Sequence, residues 1–240
     1  MQPDLIKIRT LVDTLNSDEK QIYKSLVAGE IPECFDNNHR LRARSDNDQT
    51  KFTKISHLIR WLTPFHESIP CGGVSFLGTP PWLDNDLLCL LQNEAESRLE
   101  AKMDRGDHYL GCGGSIADAL SSSQQIINFV SEHVGTVKPT GIASYLFYSL
   151  PGSGIKPHVD SEVFSVNLML MLKHVPPAYT KDTSSTVVFP AGMDAVDYKI
   201  PVGYVMLMHG SSIVHSRTPL HAGEEIHLLT IGFNRVEDAR

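Results

Sequence analysis

Apolar positions along this chain follow two rhythms, one before residue 140 and one after it. Leu5, Ile8, Leu11, Val12 and Leu15 recur at helical spacing and predict a helix over 4–16. Residues 54–62, KISHLIRWL, fit helix or strand equally well. Asp84 or Asn85 can cap a helix running to about Met103, with Leu87, Leu88, Leu91, Ala95 and Leu99 as its buried stripe. A further helix is expected over 121–134. Ser121 and Gln124 have capping-box spacing there, and Ile126, Ile127, Phe129 and Val130 form an apolar face. The polar run 36–50 and the segments GTPPW (78–82) and GDHYLGCGGS (106–115) read as loops.

After Pro139 short apolar runs alternate with turn residues. Strands are expected at 141–149, 154–160, 163–173, 185–189, 196–200, 203–209, 212–217 and 225–234. No helix long enough for a parallel crossover lies between them. The expectation is therefore a mostly β fold with flanking α-helices. Its core is a double-stranded β-helix (jelly roll) over 141–235, with helices of the irregular first 140 residues packed on one sheet. No repeat or linker divides the chain, so one domain is expected.

Composition narrows the function. The chain carries 21 basic and 28 acidic residues, for a net charge of -7, which disfavours nucleic acid as a partner. No apolar run is long enough to span a bilayer, and the N-terminus mixes charge into its apolar residues. No membrane partner is expected. The four cysteines show no CxxC pairing, and a cytoplasmic protein with reduced thiols is expected. The size suits a small-molecule substrate, and nothing in the sequence bears on oligomeric state.

Candidate chemistry begins in PGSGIKPHVDSEVF, residues 151–164. His158 and Asp160 stand two apart, so on a strand both face one side. The chain has 11 histidines, and an HxD alone is weak. A third ligand is offered by His215 in IVHSRTPL, on the strand that a jelly roll places beside the HxD strand. His209 competes with it, and His174, His221 and His227 are further possibilities. Two imidazoles and one carboxylate on one face of a metal, with open positions opposite, make the facial triad of non-haem Fe(II) oxygenases.

The last 100 residues resemble the Fe(II)/2-oxoglutarate-dependent dioxygenase superfamily. Tyr148, Gly152, His158 and Asp160 resemble its entry motif. SVNLMLMLKHV with STVVFP resembles the strand pair that follows. VGYVMLMHGSSIVHSRTPLHAGEEIHLLTIGF resembles its closing segment. The HSRTPL segment is also similar to bacterial free-amino-acid hydroxylases. The resemblance implies an oxidoreductase in which His158, Asp160 and His215 hold Fe(II), with 2-oxoglutarate and O2 as co-substrates. It implies succinate and CO2 as products, coupled to hydroxylation, cyclisation or desaturation at an unactivated C–H bond of a free or modified amino acid. The competing readings are an iron oxidase that uses O2 without 2-oxoglutarate, and a metal-binding jelly roll without catalysis.

One departure stands out. The superfamily anchors the far carboxylate of 2-oxoglutarate with a basic residue near the start of the last core strand, where this chain has Glu225. A carboxylate there would repel the co-substrate. Substitutes are Arg217, which shares a face with His215, and Lys173 at the end of the strand after HxD. His227 is a weaker one, and Tyr145, Tyr148 and Asn167 are hydrogen-bond donors. For the substrate, Arg42, Arg44 and Tyr145 are the candidates, and GCGG (111–114) and loop 174–185 are candidate covers.

Overall fold

The computed structural model describes residues 3–42 and 46–236. Two antiparallel sheets face each other. The larger one orders β1 (Val74–Gly78), β8 (Val205–Met208), β5 (Val166–Val175), β10 (Glu225–Arg235), β4 (Val137–Tyr148), β3 (Tyr109–Cys112) and β2 (Met103–Asp104). The smaller one orders β7 (Val196–Tyr198), β6 (Thr186–Phe189) and β9 (Val214–Arg217). This is the expected jelly roll. Residues 155–158 line the free edge of β9 without forming a full strand. His158 and His215 exchange backbone hydrogen bonds of 3.0 and 2.9 Å, and Arg217 N donates to Ile155 O at 3.0 Å. The register then slips, since Arg217 N reaches Ile155 O and not Lys156 O, so the strand expected over 154–160 reduces to a bridge.

Between the sheets, Tyr148, Met169, Met171, Val188, Met206, Met208, Ile226 and Leu228 form one core. The opposite faces of β4, β5 and β10 are covered as well. Leu168, Leu170, Leu229 and Ile231 pack there against α4 (Asn85–Arg98), α5 (Ser115–Ser121) and α6 (Gln124–Val134). Double coverage explains why VNLMLMLKHV is apolar almost throughout instead of alternating.

The N-terminal helices divide their packing. α4–α6 lie on the larger sheet, whereas α3 (Asp46–Leu62) buries Phe52, Ile55 and Ile59 against Val187, Phe189 and Val214 of the smaller one. Residues 54–62 are thus helical. The helix expected over 4–16 is α1 (Pro3–Thr14); a further helix not expected from the sequence, α2 (Ser17–Ala28), follows it, started by a complete capping box of Asn16 and Glu19. Asp84 caps α4 as expected, while Ser123 caps α6 and Ser121 ends α5. Strands β1–β3 come from the part of the chain expected to be helical or irregular. None of the helices among the described residues is long and apolar enough to cross a membrane.

GCGG proves to be packing, not a lid. The Glu94 carboxylate of α4 accepts from Ile116 N (2.8 Å), Ala117 N (3.0 Å) and the Tyr145 hydroxyl (2.7 Å). A Cβ at Gly114 would collide with that carboxylate. Glu94→Ala strands three donors, two of them at the start of α5. It is expected to lower stability by about 3 kcal/mol, read as a lower urea midpoint, and Gly114→Ala should move the midpoint the same way.

Candidate metal centre

The bridge between residues 155–158 and β9 brings His158 and His215 side by side, with ring centroids 4.4 Å apart. Asp160 follows where the chain turns away, and its backbone N donates to Gly210 O at 2.9 Å. The ligand atoms of His158, Asp160 and His215 all lie within 4.8 Å of one another, in an arrangement that could hold a metal ion. Each histidine Nε2 stands 3.4 Å from Asp160 Oδ1. His158 Nδ1 bonds Lys156 O (2.8 Å) and His215 Nδ1 bonds Ile213 O (3.0 Å). A carbonyl only accepts, so the proton sits on Nδ1 and each Nε2 presents a lone pair. Asn167 Nδ2 donates to Asp160 Oδ2 at 2.8 Å, which leaves Oδ1 as the oxygen facing both rings.

Burial by itself would raise the Asp160 carboxyl. In their protonated form the His215 and His158 rings outweigh it and hold the group well below the usual carboxylate range. Gly210 is required here, because a Cβ would run into the Asp160 carboxylate and come within 2.9 Å of Phe164 O.

His209 goes elsewhere. It ends β8 with Nε2 3.0 Å from Ser75 Oγ, and burial beside Arg235 and Arg60 pushes it down to about 4. His174 bonds Glu224 at 2.9 Å.

The triad lines a partly open cavity with Tyr148, Asn167, Met169, Thr186, Arg217 and Leu228. Arg217 is 4% exposed. Its guanidinium bonds Thr186 Oγ1 at 2.8 Å and approaches Ser184 Oγ at 3.4 Å. It lies 5.4 Å from the Tyr148 ring centroid. Among the described residues it makes no salt bridge with a carboxylate. Burial, foremost, pushes the Tyr148 phenol up, so its hydroxyl remains a donor.

Four of the other expected site residues lie elsewhere. Lys173 pairs with Glu96 and Glu225, both at 3.1 Å, on the helix-covered side of the larger sheet. Strict alternation from Met169 and Met171 would have aimed it inward. A bulge intervenes: Lys173 pairs with His227 and Met171 with Leu228, leaving Leu172 unmatched. His227 faces the same outer side, edge-on to Phe147 and 2.8 Å from Glu225. Tyr145 is also on the outer face, bonded to Glu94. Arg42 sits in the 35–42 turn, where its N–H donates to Cys34 O at 2.8 Å, and it does not line the cavity. Arg44 lies outside the described residues. Glu225 therefore faces away from the cavity, and its supposed repulsion of a co-substrate disappears.

Three contributors escaped the sequence reading. Ser184 and Thr186 support Arg217; Thr186 is its register partner across β6 and β9, information carried only by strand pairing. His108, bonded to Asp107 at 2.6 Å, lies 5.8 Å from the Tyr148 ring, in a segment expected only as a loop with GCGG as a cover.

Sequence comparison finds no matching family model and no matching curated protein. Solved structures do match. SnoN, an epimerase of nogalamycin biosynthesis, aligns in one structure at TM-score 0.56 and 16% identity over 68% of this chain and 77% of its own, and in a second, with Fe3+, alpha-ketoglutarate and nogalamycin RO, at 0.57 and 14% over 68% and 79%. A 2OG-Fe(II) oxygenase family oxidoreductase from Burkholderia pseudomallei aligns at TM-score 0.56 and 16% identity, over 70% of this chain and 86% of that one. A prolyl-4-hydroxylase from Pseudomonas putida aligns at 0.52 and 15%, over 69% and 94%. The chain thus has the double-stranded β-helix fold of the 2-oxoglutarate-dependent iron oxygenases.

Asp160→Ala should abolish stoichiometric Fe(II) binding in an anaerobic titration while the far-ultraviolet circular dichroism stays that of the wild type. Asn167→Ala, which frees Asp160 Oδ2, should weaken Fe(II) affinity by about tenfold or more.

Proposed function

We propose that this chain is an Fe(II)- and 2-oxoglutarate-dependent oxygenase that oxidises a C–H bond of a small molecule. Arg217 carries the reading. A buried guanidinium that makes no salt bridge among the described residues is costly; Glu224 acts on this one only through space, and it shares a cavity with two imidazoles and a carboxylate disposed as a facial triad. A dicarboxylate bound between them would satisfy both ends. The donor sets fit their groups. His158 and His215 offer Nε2 lone pairs and Asp160 an ionised oxygen to Fe(II), while Arg217 offers a forked donor to the far carboxylate.

With O2, iron and 2-oxoglutarate supply oxidative decarboxylation to succinate and CO2 and the oxidising power turned on the substrate. The protein's own residues do the positioning. Thr186 and Ser184 orient the guanidinium, and Tyr148 adds a hydroxyl donor beside it. Leu146, Ile155, Met169 and Leu228 wall the cavity with apolar surface, which excludes water and strengthens the Arg217–carboxylate attraction. Backbone carbonyls of Lys156 and Ile213 keep both histidines in the metal-binding tautomer. A small-molecule substrate agrees with the neighbour solved with nogalamycin RO. An oxidase without 2-oxoglutarate would be favoured by the missing basic residue near Glu225; Arg217 offers that charge from β9 instead, and Glu225 faces Lys173 and His227 on the outside.

Anaerobic addition of 2-oxoglutarate to the Fe(II)-loaded protein should raise a saturable visible charge-transfer band. Arg217→Ala should increase the half-saturating 2-oxoglutarate concentration about a hundredfold, the effect of truncating one partner of a buried charge pair, with Fe(II) still bound. Lys173→Ala should leave it unchanged. No band with iron bound would overturn the reading.

A further inference from the structure

The triad cavity is about 50 Å³. Sites that enclose small ligands usually measure about 300–1,000 Å³, so the walled space beside the triad is small for a substrate next to a co-substrate, and larger volume is offered only by neighbouring cavities. One cavity of 680 Å³ lies on the outer side of the smaller sheet against Phe52, Val187 and Phe189, and shares no lining residue with the triad cavity. Another, of 410 Å³, lies between α2 and the turn after the HxD pair. It is bordered by Asp160 itself, with Gln21, Lys24, Val159, Ser161 and Glu162. Of these two, only the second shares a metal-site residue with the triad cavity.

Its charges are arranged unequally. Lys24 Nζ donates to Glu162 Oε1 at 2.6 Å. The Lys24 side chain is 6% exposed and that of Glu162 is 40% exposed. The ammonium is thus held in place and depends on an anion, because a buried cation without one is costly. The carboxylate reaches water and can turn away. Of the three N–H donors on an ammonium, Glu162 takes one. An incoming carboxylate can take the others. A singly charged anion would compete with Glu162 for the same cation. A molecule carrying an ammonium as well gives Glu162 a partner of its own.

We infer that the cleft between α2 and residues 159–163 is the primary-substrate site, and that Lys24 and Glu162 select a zwitterion of amino-acid type by binding its carboxylate and ammonium. The inference rests on the oxygenase reading above. A purely structural ion pair would pin α2 to the turn and affect stability alone.

The test uses the Fe(II)- and 2-oxoglutarate-loaded full chain under anaerobic conditions, with the shift of the visible band as the binding readout. The probes are the free L-amino acids, their N-acetyl derivatives and their methyl esters. At least one free amino acid should shift the band, and blocking either its amino or its carboxyl group should weaken binding at least tenfold. Lys24→Gln and Glu162→Gln should each weaken that amino acid at least tenfold, with the half-saturating 2-oxoglutarate concentration unchanged. Absence of a response to every free amino acid would overturn the inference. Equal binding of the blocked forms would do the same, as would variants that bind like the wild type. Absence of the band in the wild-type protein would instead remove the oxygenase reading itself.

Discussion

Two backbone hydrogen bonds between His158 and His215 hold this site together. They join segments far apart in the sequence, and they fix the spacing of two imidazoles without involving either ring. Once those backbones are paired, the alternation of β9 carries Arg217 into the same interior as His215. Asp160 enters through its own backbone bond to Gly210, at a point too close for any side chain at 210. A metal-ligand set and a buried cation therefore follow from one edge pairing.

That edge is stabilised from both sides. The core between the sheets is rich in methionine and leucine, and the larger sheet is covered again by α4–α6. The smaller sheet is backed by α3 and by the turn around residue 35. His39, in that turn, donates through Nδ1 to Arg217 O at 2.8 Å, so the N-terminal part grips the strand that carries His215 and Arg217. Residues remote from the triad thus bear on its geometry through backbone contacts and not through charge.

The strand pattern, the helix cap at Asp84 and the HxD pair were legible because each depends on neighbours close in sequence, whereas the cap expected at Ser121 falls at Ser123. Three features were not. Lys173 looked inward by alternation until a bulge at Leu172 turned it outward. Glu225 looked like an obstacle to a dicarboxylate, yet it belongs to an outer cluster with Lys173, Glu96 and His227. Tyr145, plausible as an interior donor, is bonded to a glutamate on α4. In each case the face was set by a pairing partner distant in the chain.

By itself the sequence determined the two-sheet architecture, since short apolar runs separated by turn residues without crossover helices leave few other packings. It also determined the residue types available to a metal, and the strand alternation that puts His215 and Arg217 on one side. Only the tertiary structure decided that His215 and not His209 stands beside His158. It also decided that Arg217 and not Lys173 shares the cavity, and that α2 brings Lys24 to the edge of the metal site. Those choices depend on strand register, on a one-residue bulge and on how a helix from the start of the chain docks. Such long-range pairings are governed by the packing of the whole core, and no local pattern encodes them.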